Sequence, residues 1–203
     1  MAYSFPSSFS IASLLDVNVI LSAQPSDRTV AHTPYLRLID RNGWSCVQRT
    51  TGVGVVAIIA VTSEKKMLLV EQHRPPVNQT VLELPAGLVG DLSDQPLENL
   101  EQAAKRELLE ETGYQAAKWL EWVTVASSAG MTDECITLFF AQDLQKVGPG
   151  GGDSKETITV HEVPLAEIDG YLEQRIQAGT LLDGRVYAAV YFMRAKTNLI
   201  FSP

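Results

Sequence analysis

The chain has 203 residues, 45% of them hydrophobic, which is enough for one well-packed domain. Its formal net charge is −8 and Lys and Arg are not clustered, so a surface that coats nucleic acid is excluded. An anionic ligand must then be met locally, by a metal ion and a few arginines.

The N-terminal residues and the two cysteines indicate where the protein is found and whether it contains disulfides. Met1–Leu15 lacks the basic start of a secretory signal, and no apolar stretch approaches the roughly 20 residues of a membrane span. We therefore expect a cytoplasmic protein that uses neither a membrane nor nucleic acid. Cys46 and Cys135 are isolated, so neither a disulfide framework nor a zinc site is indicated.

The first quarter of the chain contains short β-prone runs, at Val17–Leu21, Tyr35–Asp40 and Trp44–Thr50. The last two are joined through Asn42-Gly43, a strong hairpin signal because both turn positions take positive φ. Such a small sheet cannot bury its own core, so it should pack on the main domain or on a second subunit.

Two nearly continuous apolar runs follow, Gly54–Thr62 and Met67–His73, separated by a short polar turn. This pattern predicts a hairpin of strands buried on both faces, in the middle of a sheet. Arg74 comes directly after the second run, where a planar guanidinium suits bidentate phosphate binding. A solvated charge at a strand end is the alternative.

The stretch that ends in Gly113-Tyr114 predicts a helix. Asn99 and Gln102 have the spacing of a capping box, and Leu100, Ala104 and Leu108 recur at helical spacing. Gly113 suits the left-handed conformation that ends a helix.

Two carboxylates of this helix, Glu107 and Glu111, lie beside the apolar stripe, while Arg106 and Glu110 can pair on the neighbouring flank. Carboxylates four residues apart repel each other and are costly to bury unless a cation meets them. Mg²⁺ is the natural cation, since it binds through one or two carboxylates plus substrate phosphates. A charged surface helix is the simpler alternative.

The remainder predicts two strands around a polar loop, then a glycine-rich segment, a strand and two helices. The glycine-rich segment does not have the spacing of a phosphate-binding P-loop. We interpret it as a mobile catalytic loop, because glycines permit hinging. In chain order these are Lys118–Ala126, Cys135–Gln142, Gly148–Glu156, Thr157–Val163, Leu165–Ala178 and Gly184–Lys196.

The run from Glu98 to Tyr114 resembles the signature of the Nudix hydrolases, which reads Gly, five residues, Glu, seven residues, then Arg-Glu-apolar-any-Glu-Glu-any-Gly-apolar. Here ten residues separate Gly87 from Glu98, so the intervening loop is enlarged. The resemblance implies that Glu107, Glu111 and the carbonyl of Ala86 bind metal. It implies that Arg106 and Glu110 support the catalytic site.

Further segments resemble the ADP-ribose/ADP-sugar pyrophosphatase branch of this family, over residues 35–196. They are Trp44–Thr51, Arg74-Pro75, Glu83–Gly87, the loop that ends in Glu134, and Leu181–Tyr187. The resemblance implies that Arg74 binds the diphosphate, that Arg49 helps to hold the substrate, and that Glu156 is a general base or an extra metal ligand. Trp44 would stack on the base or be an ordinary sheet aromatic, and Glu134 would contact substrate or be a surface carboxylate.

The expected fold is α/β, a mixed β-sheet between helices as in Nudix proteins. Residues 1–51 should form a small N-terminal β-rich subdomain and residues 52–203 the hydrolase domain. The resemblance implies a homodimer with exchanged N-terminal sheets.

The expected reaction is Mg²⁺-dependent hydrolysis of a nucleoside diphosphate sugar, with Mn²⁺ as a substitute metal and ADP-ribose as the first substrate, giving AMP and ribose 5-phosphate. Ser45 stands where relatives selective for adenine carry an acidic residue, so a broader enzyme acting on GDP-mannose or UDP- and CDP-glucose is one alternative. A non-catalytic ADP-ribose sensor is the other.

Overall fold

The computed structural model describes residues 27–52, 54–90, 98–152 and 157–195. Within them lie eleven strands and three helices. In chain order they are β1 (Asp27–His32), β2 (Leu36–Arg41), β3 (Trp44–Arg49), β4 (Gly54–Ala60), β5 (Lys66–Arg74), β6 (Gln79–Glu83), β7 (Ala86–Val89), α1 (Leu100–Thr112), β8 (Tyr114–Ala126), β9 (Cys135–Lys146), β10 (Thr159–Pro164), α2 (Ile168–Gln177), β11 (Leu181–Leu182) and α3 (Gly184–Ala195).

The first three strands form an antiparallel sheet, and the predicted hairpin between β2 and β3 is confirmed. Its turn has positive φ at both central residues, 56° at Asn42 and 83° at Gly43. The strand predicted at Val17–Leu21 lies outside the described residues. β1 was not predicted, because its residues are polar or exposed and carry no pattern of burial.

The other eight strands divide into two mixed sheets, ordered β7-β4-β9-β8 and β10-β5-β6-β11. The predicted β4–β5 hairpin is wrong: β4 pairs with β7 and β9, and β5 pairs with β10 and β6. Among the described residues, β4 and β5 are connected at their turn by one isolated antiparallel β-bridge, between Val61 and Met67. An uninterrupted apolar run indicates burial on both faces, but it does not identify the neighbouring strand.

Alternate residues of β4 supply two separate cores, as the period of a strand requires. Ile59 faces the core between the two sheets, which also receives residues of α2 and α3. Ile58 faces the opposite core, beneath α1. The sheet containing β4 therefore lies between α1 on one side and the second sheet with its helices on the other, which agrees with the α/β prediction.

Helix α1 begins and ends as predicted. Asn99 and Gln102 form a reciprocal capping box, and Gly113 ends the helix with φ of 75°. Ala104 and Leu108 are fully buried. None of the helices in the described ranges has the length and apolar character that spanning a bilayer requires.

The N-terminal sheet contacts the loop between β8 and β9 of the same chain. The backbone N–H of Val47 donates to the carbonyl of Met131 at 2.8 Å. Asp133 accepts hydrogen bonds from Arg41 and from Gln48. The domain boundary at residue 51 and the exchange of this sheet between subunits stay predictions.

Candidate active site

A cavity of about 770 Å³ opens where strands of both large sheets end. Residues from the ends of β3, β5 and β6 line one part of it, and α1, β7 and the start of α3 line another. Residues of β4, β8, β9 and the loop between β8 and β9 complete the lining. The charged lining residues are Arg49, Arg74, Glu83, Glu107, Glu134, Asp183 and Arg185.

The predicted metal-binding groups lie at the junction of α1 and β7. The carboxylate of Glu111 is buried and accepts a hydrogen bond from the backbone N–H of Ala86 at 3.0 Å. A Cβ atom placed on Gly87 would lie 1.9 Å from Oε1 of Glu107, so this carboxylate rests directly against the β7 backbone. Glu107, Glu111 and the Ala86 peptide therefore meet in one place.

This donor set fits Mg²⁺. The described residues contain no cluster of three or more His, Cys, Asp or Glu side chains that could enclose a metal ion by themselves. Mg²⁺ does not require one, since it usually keeps several waters and binds through one or two carboxylates plus substrate phosphates. Glu107 and Ala86 line a cavity with room for phosphate, and Glu111 is hydrogen-bonded to Ala86 beside them, so this donor set meets that description.

Arg106 connects the carboxylates of this region. Its guanidinium donates to Glu98 at 2.9 and 3.1 Å, to Glu107 at 2.6 Å, to Glu110 at 3.2 Å and to the carbonyl of Leu88 at 2.9 Å. Burial opposes its charge, yet the carboxylates of Glu98 and Glu107 outweigh that effect and raise the pKa of Arg106. The predicted pairing with Glu110 is present, and Arg106 also orients Glu107.

Glu98 reaches Arg106 despite the enlarged loop before it. Burial would raise the pKa of this carboxyl, but hydrogen bonds from Arg106 and from the backbone N–H of Gly90 outweigh burial and lower the pKa. Glu98, just before α1, therefore holds the side chain of Arg106 in place.

Three arginines in the cavity are each held by a carboxylate, and the sequence predicted two of them. Arg74 donates to Glu83 through Nε at 2.9 Å and Nη2 at 2.6 Å. Arg49 donates to Glu134 through Nε at 2.5 Å. These pairs fix the arginines and leave further N–H groups of each guanidinium for a ligand.

The third arginine, Arg185, was not predicted. Asp183 accepts from its Nε at 2.8 Å, its Nη2 at 2.5 Å and its backbone N–H at 2.7 Å. Burial opposes the charge of Arg185, but Asp183, with Glu83 and Glu134, raises its pKa. The signal in the sequence was Asp183-Gly184-Arg185 at the start of the last helix. Asp is a common N-cap residue, so this sequence indicates that Asp183 and Arg185 lie together at the helix start.

Among the described residues, the cavity lining carries three cationic side chains against four carboxylates. A diphosphate would therefore enter a cavity with an excess of negative charge, although three arginines point to an anionic ligand. Divalent cations at Glu107 and Glu111 would remove that conflict.

Four of the described residues that the sequence predicted for the site, Arg106, Glu110, Glu111 and Trp44, do not line the cavity. Trp44 is 65% exposed, and its indole N–H donates to the carbonyl of Gly130 at 3.2 Å. It is absent from the cavity lining of the described residues. Glu156 lies outside the described residues.

The mobile catalytic loop stays a prediction, and the described part of the glycine-rich segment, Gly148–Gly152, is hydrogen-bonded to the end of α1. Gly151 donates to the carbonyl of Glu111 at 2.8 Å and accepts from the backbone N–H of Ile158 at 3.3 Å. The residues on both sides of 153–156 are thus attached near the end of α1.

Comparison with known proteins identifies the family. A model of the NUDIX domain matches residues 50–183. The chain belongs to the Nudix family. Members of this family generally use divalent metal ions.

Several curated proteins are similar to this chain. A methanol dehydrogenase activator of Bacillus methanolicus is 34% identical over 72% of this chain and 75% of its own. The ADP-ribose pyrophosphatase of Bacillus subtilis (strain 168) is 33% identical, with the same coverage of the two chains. These matches confirm the predicted Nudix hydrolase with similarity to ADP-ribose pyrophosphatases.

A solved structure supports the fold. The crystal structure of an ADP compounds hydrolase superposes with a TM-score of 0.61 at 21% identity, covering 87% of this chain and 94% of that one. The predicted Nudix fold is confirmed.

Proposed function

We propose that this Nudix hydrolase cleaves the diphosphate of nucleoside diphosphate sugars, with ADP-ribose as its main substrate, to AMP and ribose 5-phosphate. The observation that carries the proposal is one cavity lined by Arg49, Arg74, Arg185 and Glu107, with the buried Glu111 carboxylate hydrogen-bonded to the Ala86 backbone at its edge. The similarity to ADP-ribose pyrophosphatases supports the choice of substrate.

The arginines bind the non-bridging oxygens of the diphosphate. Each guanidinium is held on one side by its own carboxylate and offers its remaining N–H groups to the ligand. During hydrolysis a bond forms between phosphorus and the water oxygen, and the bridging P–O bond breaks. The negative charge on the phosphates rises as two phosphomonoesters form, so fixed cations favour the transition state over the substrate.

Glu107, Glu111 and the carbonyl of Ala86 would hold Mg²⁺, with Mn²⁺ as a substitute. When bound, the cation neutralises phosphate charge and lowers the pKa of water. Arg106 and Glu110 act indirectly, because Arg106 holds the Glu107 carboxylate in place and pairs with Glu110.

Glu156 accepts the proton of the attacking water or serves as a further metal ligand. It is two residues from Ile158, a distance of at most about 7 Å along an extended chain. Ile158 is hydrogen-bonded to Gly151, which in turn is bonded to the Glu111 backbone. This proximity in the chain supports the assignment.

The base-binding role of Trp44 is proposed together with a homodimer. Trp44 is exposed, as are Val30, Leu36 and Leu38 of the same N-terminal sheet. Burial of these apolar side chains by a second copy would stabilise a dimer. Sedimentation should give a dimer at micromolar concentration, and a stable monomer would contradict it.

The substrate is tested by phosphate release in the presence of excess phosphatase and Mg²⁺, with ADP-ribose, ADP-glucose, GDP-mannose, UDP-glucose and CDP-glucose. We expect the highest kcat/KM for ADP-ribose. A flat profile would favour the broader nucleotide-sugar hydrolase, an alternative consistent with Ser45 and with a cavity that Trp44 does not line. Saturable ADP-ribose binding without turnover would favour a sensor.

A further inference from the structure

The C-terminal end of α1 is covered by the segment Gly148–Gly152, which we name the glycine clamp. Gly151 and Gly152 donate to the carbonyls of Glu111 and Glu110, at 2.8 and 3.1 Å. Gly148 donates to the carbonyl of Gly113 at 3.0 Å. The last carbonyls of a helix have no hydrogen-bond donors within the helix. Here the N–H groups of the clamp are their donors.

The close approach of these two backbones requires glycine on both sides. A Cβ atom on Gly150 would lie 2.4 Å from the carbonyl carbon of Thr112 and 2.7 Å from the carbonyl oxygen of Glu111. A Cβ atom on Gly113 would lie 2.2 Å from the carbonyl oxygen of Gly148. Because the clashing atoms are backbone, a side chain at either position would push the clamp and the helix end apart.

Glu111 is consequently fixed at both of its ends. Its carboxylate accepts from the N–H of Ala86 in β7, and its backbone carbonyl accepts from the clamp. The clamp residues do not line the cavity formed by the described residues, so they cannot act by contact with a substrate there. Their effect must pass through the helix end that they hold.

We propose that the glycine clamp positions the Glu111 carboxylate for a divalent cation. The inference rests on the metal site of the proposed function, and not on the identity of the nucleotide sugar. Groups that orient metal ligands from outside commonly account for about 10- to 100-fold in metal affinity or activity. A shift of the last turn of α1 would move Glu111 relative to Glu107 and β7.

The test compares Gly150→Ala with Gly179→Ala. Both glycines have positive φ, 69° and 87°, so both substitutions strain the backbone. A Cβ atom on Gly179 meets nothing within 4 Å, and this residue lies just beyond α2. The second variant therefore reproduces the strain without the collision.

Binding of Mn²⁺ alone, followed by the electron paramagnetic resonance of the free ion, is the primary readout, with kcat as the second. We expect Gly150→Ala to weaken Mn²⁺ binding and lower kcat by about 10- to 100-fold, while Gly179→Ala keeps wild-type values. Circular dichroism and thermal unfolding establish that both variants fold.

If Gly150→Ala does not fold, Gly151→Ala replaces it. Its φ is 106°, and the nearest atom to an added Cβ, the carbonyl oxygen of Ile158, is 3.9 Å away. The substitution strains the residue whose N–H binds Glu111, so weaker Mn²⁺ binding than in Gly179→Ala is expected.

Equal Mn²⁺ affinity in the clamp variant and in Gly179→Ala would overturn the proposal, as would a wild-type protein that binds no Mn²⁺. A wild-type protein that binds Mn²⁺ but hydrolyses no nucleotide sugar would contradict the proposed function alone. The proposed role of the clamp would then still be tested by the Mn²⁺ affinities of the clamp variant and of Gly179→Ala.

Discussion

The carboxylate of Glu111 and the backbone N–H of Ala86 are 3.0 Å apart, and this hydrogen bond joins the last turn of α1 to the start of β7. Glu107, one turn earlier, lies against Gly87 of the same strand. The two carboxylates thus converge on one backbone segment at the edge of the cavity. The N–H of Ala86 compensates the buried Glu111 carboxylate, and the Arg106 guanidinium, 2.6 Å from Glu107, compensates the other, so both are tolerated four residues apart.

Gly87→Ala should abolish most of the metal-dependent activity. A Cβ atom at this position would lie 1.9 Å from Oε1 of Glu107, so the carboxylate must move away from β7. Gly170→Ala is the control, because a Cβ atom there meets nothing within 4 Å. Turnover and Mn²⁺ binding are measured for both variants, and unchanged values in Gly87→Ala would remove Glu107 from the site.

Arg74→Lys should raise KM and lower kcat/KM by about 10- to 100-fold, because a lysine cannot hold Glu83 and a phosphate oxygen with one planar group. Arg194→Lys is the matched control. Arg194 is on the surface near the end of α3 and pairs with the exposed Asp169. Equal kinetic constants for the two variants would show that Arg74 does not bind substrate.

Arg185→Gln should also raise KM for the diphosphate substrate, and Asp183→Asn should do so to a smaller extent, since it removes only the group that holds the arginine. Competitive inhibition by imidodiphosphate with Mg²⁺, whose P–N–P bridge replaces the scissile linkage, measures binding separately from turnover. Unchanged inhibition in Arg185→Gln would assign that arginine a structural role.

Glu98→Gln should destabilise the protein by about 1–3 kcal/mol at neutral pH, because it removes the carboxylate that Arg106 binds. The folded state lowers the pKa of Glu98 from its ordinary 4.5. Its stabilising effect is therefore complete above pH 4.5 and is lost as the pH falls through the lower folded value. Chemical unfolding of wild type and variant should converge at acidic pH.

The control for this effect is Glu101→Gln, which removes an exposed pair with Lys105 on the same helix. Such pairs contribute about 0.3–0.5 kcal/mol. A destabilisation by Glu98→Gln no larger than that of Glu101→Gln, or one that persists at low pH, would be at odds with the Glu98–Arg106 pair.

The features that the sequence predicted are those with local causes. The capping box at Asn99, the helix end at Gly113 and the Asn42-Gly43 turn each depend on residues within four positions of one another. The metal-binding carboxylates follow from the same helix, since its period places Glu107 and Glu111 on one side. These features can be read from neighbouring residues alone, because they do not depend on tertiary contacts.

The features that the sequence missed depend on distant contacts. The neighbours of β4 and β5 are set by which strands pack beside them, not by their own apolar runs. Arg185 reaches the cavity because the two-residue strand β11 pairs with β6, which places Asp183 next to Leu82. The docking of Gly151 on Glu111 joins residues forty positions apart.

The most direct test is the analysis of products from ADP-ribose and Mg²⁺, by chromatography, for wild type and Glu111→Gln at equal concentration. We expect the wild-type protein to form AMP and ribose 5-phosphate in equal amounts. Glu111→Gln should retain its fold and lose turnover by orders of magnitude, because the amide keeps the shape of the side chain but not its charge. Absence of AMP with wild type, or wild-type turnover by Glu111→Gln, would contradict the account.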